Sequence, residues 1–219
     1  MIKKFAVVFV VIFGFGSVVG AQVCEVCVPT GDALELAAVE QSLTAIGFSY
    51  QAADDPTATA CDVYITYPGS NYIGAATAQP WVQAGNGLVQ ISDHGPNLQA
   101  NSWIDLGAGN PPQTVTVVDG GHPIVAGVSG TWQTFGFWYY GYSSDYIGYV
   151  TDPDPNIAQI SGNDRGLSAR PEGAGRVVYI GWNVYGSAAA ADDLTILRQA
   201  IEWSGNCSVP VELMSFIVE

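Results

Sequence analysis

The sequence predicts an α/β domain, a mainly parallel sheet layered between helices, and three observations lead there. Short apolar runs alternate with stretches whose hydrophobic residues recur at helical spacing. The 219 residues suffice for one domain with a substantial core. Hydrophobic residues make up 48% of the chain and aromatic residues 11%, and the 26 glycines follow no three-residue repeat, which excludes disorder and a collagen-like helix.

Residues 1–21 read as a secretory signal, with Lys3 and Lys4 as a basic start, Phe5 to Val19 as an apolar core, and Val19-Gly20-Ala21 as a small-residue cleavage site before Gln22. The apolar run falls short of the ~20 residues that a membrane span needs. Cleavage there removes both lysines and leaves Arg165, Arg170, Arg176 and Arg198 against all twenty carboxylates. So acidic a chain lacks the clustered cations that nucleic acid requires, and it repels acidic surfaces. The expected location is outside the cell or at its surface, with the periplasm as an alternative.

Val23 to Val28 reads as the first strand. After Pro29-Thr30-Gly31, Asp32 is a good N-cap, Leu36, Val39, Leu43 and Ile46 form a helical stripe, and Gly47 supplies the stop. Phe48 to Ala52 and Asp62 to Tyr67 read as strands, Ala75 to Ala84 as a helix, and Leu88 to Ile91 as a further strand. Residues 95–112 are polar and irregular, followed by a β-branched strand from Thr114 to Val118. Between Trp132 and Tyr149 nine of eighteen residues are aromatic, interleaved with glycine, which suits hairpins or a broad loop. Leu167 to Arg170 and Arg176 to Ile180 read as strands, and Asp192 or Asp193 caps a last helix carrying Leu194, Leu197 and Ile201. Residues 22–205 form the domain, and 206–219 a tail that alternates in strand fashion.

The order strand–helix, Asp62-Val63-Tyr64-Ile65, Trp81-Val82-Gln83-Ala84-Gly85-Asn86-Gly87-Leu88-Val89, His122-Pro123-Ile124 and Gly175-Arg176-Val177-Val178-Tyr179-Ile180-Gly181, ending in Ala200-Ile201-Glu202-Trp203, resembles the class I glutamine amidotransferase-like superfamily, in its trehalose-utilisation-type branch. The resemblance implies a three-layer flavodoxin-like sandwich with an aromatic-rich β/loop insertion. It also implies a nucleophilic cysteine on the turn after Leu88–Ile91 and a histidine after Val177–Ile180. Here those places read Ser92-Asp93-His94-Gly95 and Gly181-Trp182-Asn183-Val184-Tyr185, so the amidotransferase cysteine and histidine are not found.

Cys24, Cys27, Cys61 and Cys207 are an even set that favours disulfides in an exported protein, with three full pairings open. If the sheet follows flavodoxin-like order, Cys24, Cys61 and Cys207 meet at one edge. The expectation is then that Cys61 pairs with Cys207 or Cys24 and that Cys27 is the unpaired thiol.

Asp93 and His94 fall where ligands bind in such a fold, at the carboxyl ends of parallel strands, and are the candidate catalytic pair. A plainer reading has Asp93 capping a turn and His94 in an exposed loop. Trp138 and Tyr140 from the aromatic segment, with Trp182, Asn183 and Tyr185, are candidate ligand-binding residues, because aromatic platforms stack on sugar rings. For Gly120-Gly121-His122-Pro123 the resemblance implies a structural turn that docks its segment against the sheet. No cofactor is implied, although Asp152, Asp154, Asn156, Asn163 and Asp164 offer oxygen ligands suited to calcium. The expected function is binding of carbohydrate or an extracellular protein. The alternatives are a glycan hydrolase working through Asp93 and His94, and a self-assembling structural subunit.

Overall fold

Helical and strand periodicities produce eleven strands and three α-helices among the residues described by the computed structural model, which are 23–92, 95, 96, 98, 103–108, 113–134, 138–142, 146–151 and 164–207. In chain order these are β1 (Val26–Val28), α1 (Ala33–Ala45), β2 (Tyr50–Ala52), β3 (Val63–Thr66), α2 (Ala75–Gln83), β4 (Gly87–Ile91), β5 (Trp103–Ala108), β6 (Gln113–Val117), β7 (Thr131–Thr134), β8 (Trp138–Tyr142), β9 (Tyr146–Thr151), β10 (Asp164–Glu172), β11 (Gly175–Ile180) and α3 (Ala191–Gly205). The Asp32 carboxylate caps α1 by accepting from the Leu34 and Glu35 N–H groups. The αL residue Gly47 follows the helix.

The main sheet runs β2-β1-β3-β4-β11-β10-β9-β6-β7. Its first five strands are parallel, as the sequence predicts. From β11 onward every pairing is antiparallel, so the segment after β5 adds an antiparallel wing to the sandwich. Strands β5 and β8 form a separate ribbon that packs on β10 and β11.

Alternation along the strands sorts the core into two layers. Val26, Val28, Val63, Ile65, Val89, Ile91, Val178 and Ile180 face α1 and α3, where Val39, Leu43, Ile196, Leu197 and Ile201 cover them. Cys27, Tyr64, Leu88 and Val177 face α2, where Val82 and Trp81 cover them. His122 caps a short 3-10 helix over Pro123–Val125 through Nδ1, and its ring lies 5.2 Å from that of Trp203 on α3. The turn is thus structural, docking on α3 rather than on the sheet.

The cysteines pair as Cys24–Cys207 and Cys27–Cys61, with Cα–Cα separations of 5.6 and 5.7 Å. The expected bond from Cys61 to Cys207 or Cys24 is not formed, and Cys27 is not a free thiol. The reason lies in strand geometry. Residues three apart on an extended chain point to opposite faces, so Cys24 joins the α1/α3 layer beside Cys207 while Cys27 joins the α2 layer beside Cys61. Gly205 makes the first bond possible, for a Cβ there would stand 2.7 Å from both the Cys24 and the Cys207 sulfur.

The cap of α3 also differs from expectation. Ala190 is the N-cap, and Asp193 sits three residues in, where its side chain accepts from the Ala190 N–H at 3.0 Å. This frees Asp193 to serve as an internal hub.

Candidate functional site

Strand register places Thr66 beside Gln90, Gln90 beside Tyr179 and Tyr179 beside Ser168, a row across β3, β4, β11 and β10. Each alternates with residues of the α1/α3 layer, so all four point to the face that carries α2. The next row toward the amino end, Tyr64, Leu88 and Val177, is the apolar patch that α2 covers. The polar row therefore lies beyond α2, at the carboxyl ends of the parallel strands, where ligands bind in open α/β sheets.

All four residues are buried, with Thr66 and Gln90 fully so and Ser168 3% exposed. The Thr66 and Ser168 hydroxyls have no hydrogen-bond partner. Burying a hydroxyl unpaired costs about 1–3 kcal/mol, so the row works against stability. The chain after β4 folds back over it, since a Cβ on Gly95 would fall 2.3 Å from Cδ of Gln90. Ser92 turns the corner between them with a left-handed φ of 62°, fully buried, and its N–H donates to the Ile180 carbonyl. The Arg170 charge, one row below, is matched by Glu172. Burial works against the charge on Glu172, but hydrogen bonds from Gln79, Arg170 and Gln83 hold it below the ordinary carboxylate range.

The loop after β11 behaves differently from expectation. Trp182 is fully buried, its ring packs edge-on against Trp132 at 6.3 Å, and its Nε1 donates to Asp193 at 2.9 Å. No face of it is open for stacking on a sugar, and the same holds for Tyr185, which is 6% exposed and donates to Glu35 at 2.7 Å. Burial and the Glu35 carboxylate raise the Tyr185 pKa. Beside it Tyr67, its pKa pushed up to about 12 by burial, donates to the Pro29 carbonyl. Together the two tyrosines seal the sheet edge above β1 and β3. Asn183 is half-buried, and its Oδ1 has no partner.

Asp193 is the saturated counterpart of the polar row. Its Oδ1 accepts from the Trp132 and Trp182 indoles, and its Oδ2 from the Thr134 hydroxyl and the Ala190 N–H. Burial pushes this carboxyl above its ordinary range, and the four hydrogen bonds pull against that shift.

The candidate pair Asp93 and His94 lies outside the described residues, as do Asp152, Asp154, Asn156 and Asn163. Trp138 and Tyr140 lie on β8, where register sets Trp138 opposite Ala108, Tyr140 opposite Asp105 and Tyr142 opposite Trp103. Asp164 opens β10. Among the described residues no group of three or more His, Cys, Asp or Glu side chains is placed to hold a metal ion, and no helix is long and apolar enough to cross a membrane. Sequence reading missed the polar row, though Gln90 inside the apolar run Leu88-Val89-Gln90-Ile91 and Thr66 inside Val63–Tyr67 were signs of it.

The five parallel strands run β2-β1-β3-β4-β11 with helices on both faces, the arrangement of a flavodoxin-like α/β fold. Solved structures share this fold. A protein from Parabacteroides merdae described as ThuA-like superposes with a TM-score of 0.58 at 12% identity, over 86% of this chain and 92% of that one. PurLQS from Thermotoga maritima gives 0.52 at 14% identity, over 82% and 98%. The beta-galactosidase from Bacillus circulans sp. alkalophilus gives 0.56 at 12% identity, over 87% of this chain and 32% of that one. No family model matches the sequence, and no curated protein does.

Proposed function

We propose that this is an exported binding domain of amidotransferase-like fold that takes a carbohydrate ligand at the carboxyl edge of its sheet. The observation that carries the reading is the chemistry of the elbow. The turn on which the resemblance implies a cysteine reads Ser92-Asp93-His94-Gly95 here, and all four cysteines are tied in disulfides. Two disulfides also suit an oxidising compartment, in keeping with the signal-like residues 1–21. The strand carrying Trp138 and Tyr140 packs on β10 and β11, and both are residue types that stack on sugar rings. The fold's recurrence within a beta-galactosidase is a further support for a sugar ligand.

The test is a glycan array probed with residues 22–219, with and without calcium, beside a Trp138→Ala/Tyr140→Ala variant. Saturable binding that the variant loses supports the reading. Retention of no glycan overturns it and moves the search to extracellular proteins or self-association, which gel filtration reads directly.

A second reading, hydrolysis of a glycan through Asp93 and His94, draws on the left-handed φ of Ser92, a conformation that active-site elbows use to expose a side chain. Turnover of nitrophenyl glycosides by the intact protein, abolished in Asp93→Asn, would establish it. A flat progress curve across the common glycosides would remove it.

A further inference from the structure

We infer that the turn between β6 and β7 is an acid-sensitive latch, in which a second proton on His122 displaces the bond that caps the turn and loosens it from α3. Three observations carry it. The His122 Nδ1 accepts the Ile124 N–H at 3.2 Å, so the neutral ring carries its proton on Nε2 and a second proton must go to Nδ1. There it turns an acceptor into a donor that faces the donor it used to bind. The capped element is a single turn, Pro123–Val125, whose other bonds run from the Val125 N–H to the His122 carbonyl and from the Ala126 N–H to the Pro123 carbonyl. So short an element has little else to hold its shape. The same turn docks its segment on α3: Ile124 and Val125 are buried in the α1/α3 layer, the His122 ring lies 5.2 Å from that of Trp203, and the Gln199 amide donates to the Ala126 carbonyl.

The charges around the ring set how the latch responds. On its own turn Asp119 favours the protonated ring, whereas partial burial opposes it and prevails, which holds the His122 pKa below the ordinary histidine range. On α3, Arg198 and Glu202 are paired with each other at 3.0 Å. On β11, Arg176 lies 5.1 Å from the centroid of the Trp203 ring and donates to the Trp203 carbonyl, so a protonated His122 is a second cation beside that ring. Further along the segment Asp192 accepts from the Ser129 N–H at 3.3 Å. That tie is independent of the imidazole, so acid loosens the turn without releasing the whole segment.

The experiment is nitrogen-15 NMR and amide hydrogen exchange on the full mature chain between about pH 7.5 and pH 5, for wild type, His122→Asn and His122→Ala. His94 is the only other histidine, and a His94→Gln background leaves one imidazole to follow. The ring spectra should show Nε2–H at neutral pH and a proton added at Nδ1 in acid. Corrected for intrinsic rates, exchange of the Ile124 and Val125 amides should rise about tenfold or more on acidification of the wild type. Asparagine caps with an oxygen that does not titrate, so His122→Asn should keep these amides slow at both pH values. His122→Ala, with no cap, should leave them fast at both. An Nδ1–H tautomer at neutral pH overturns the latch, as does wild-type exchange that ignores pH. An acid rise in His122→Asn equal to that of the wild type, or slow exchange in His122→Ala, also overturns it, because the imidazole would then not be the part that opens. The tautomer and exchange profile of the wild type decide the matter even where a variant misfolds.

Discussion

Two buried polar centres sit on opposite faces of the same sheet, and they are built on opposite principles. Asp193, on the α1/α3 side, is a fully buried carboxylate whose two oxygens accept four hydrogen bonds from two indoles, a hydroxyl and a main-chain N–H. The row on the α2 side is equally buried but leaves the Thr66 and Ser168 hydroxyls unanswered. A saturated centre joins elements together. Asp193 ties β7, the loop after β11 and the start of α3 into one unit, and removing it strands four donors. An unanswered hydroxyl joins nothing and costs free energy.

The comparison is sharpest under substitution. Asp193→Ala should cost about 4 kcal/mol, since two indole N–H groups, the Thr134 hydroxyl and the Ala190 N–H all lose their acceptor in the core. Urea unfolding measures this, and a loss below 1 kcal/mol would break the contrast. Asp193→Asn should cost less, about 1–2 kcal/mol. Its oxygen can still serve both indoles while its amide nitrogen faces the Ala190 N–H.

The third test is pH. Because burial raises the Asp193 pKa above its ordinary 3.8, the stability it confers is complete below that value and is lost as pH rises through the folded value. The stability gap between wild type and Asp193→Asn should therefore be widest in acid and narrow toward neutrality. Glu172 and His122, both with lowered pKa values, destabilise the fold as pH falls, but they do so in both proteins and cancel in the difference. A gap that widens with rising pH would mean that the hydrogen bonds outweigh burial.

The smallest effect is the most telling. Thr66→Val and Ser168→Ala remove groups that gain nothing in the folded chain, so each should shift stability by no more than about 0.5 kcal/mol, and toward greater stability. A clear loss in either would show the two centres to be of one kind.

Much of this architecture was legible because periodicity is a local property. The stripe Val39 and Leu43 and the runs Leu88–Ile91 and Val177–Ile180 fix helices and buried strands without reference to partners. The antiparallel wing was legible only in part: strands at Thr114–Val118 and Leu167–Arg170 and the hairpin tendency of the aromatic segment could be read, but not how they pair. Its aromatic and glycine residues define strands only through their neighbours in the sheet, as β9 does between β10 and β6. The disulfides were half legible, for alternation already separates Cys24 from Cys27, while Cys61 precedes its strand and carries no such signal. At the site, Trp182 and Tyr185 looked like exposed aromatics because sequence does not reveal which partner, Asp193 or Glu35, waits inside. The polar row spans four strands distant in sequence, and only register assembles it.

The bond between Cys24 and Cys207 has a mechanical meaning. It bridges 183 positions of sequence across 5.6 Å, so the two ends of the folded body are one covalent point. Tension applied between residue 23 and residue 208 runs through sulfur and never reaches the sheet. The domain behaves under load as a bead hung on a thread rather than a link within it, and pulling it open in a single-molecule experiment requires a reductant first.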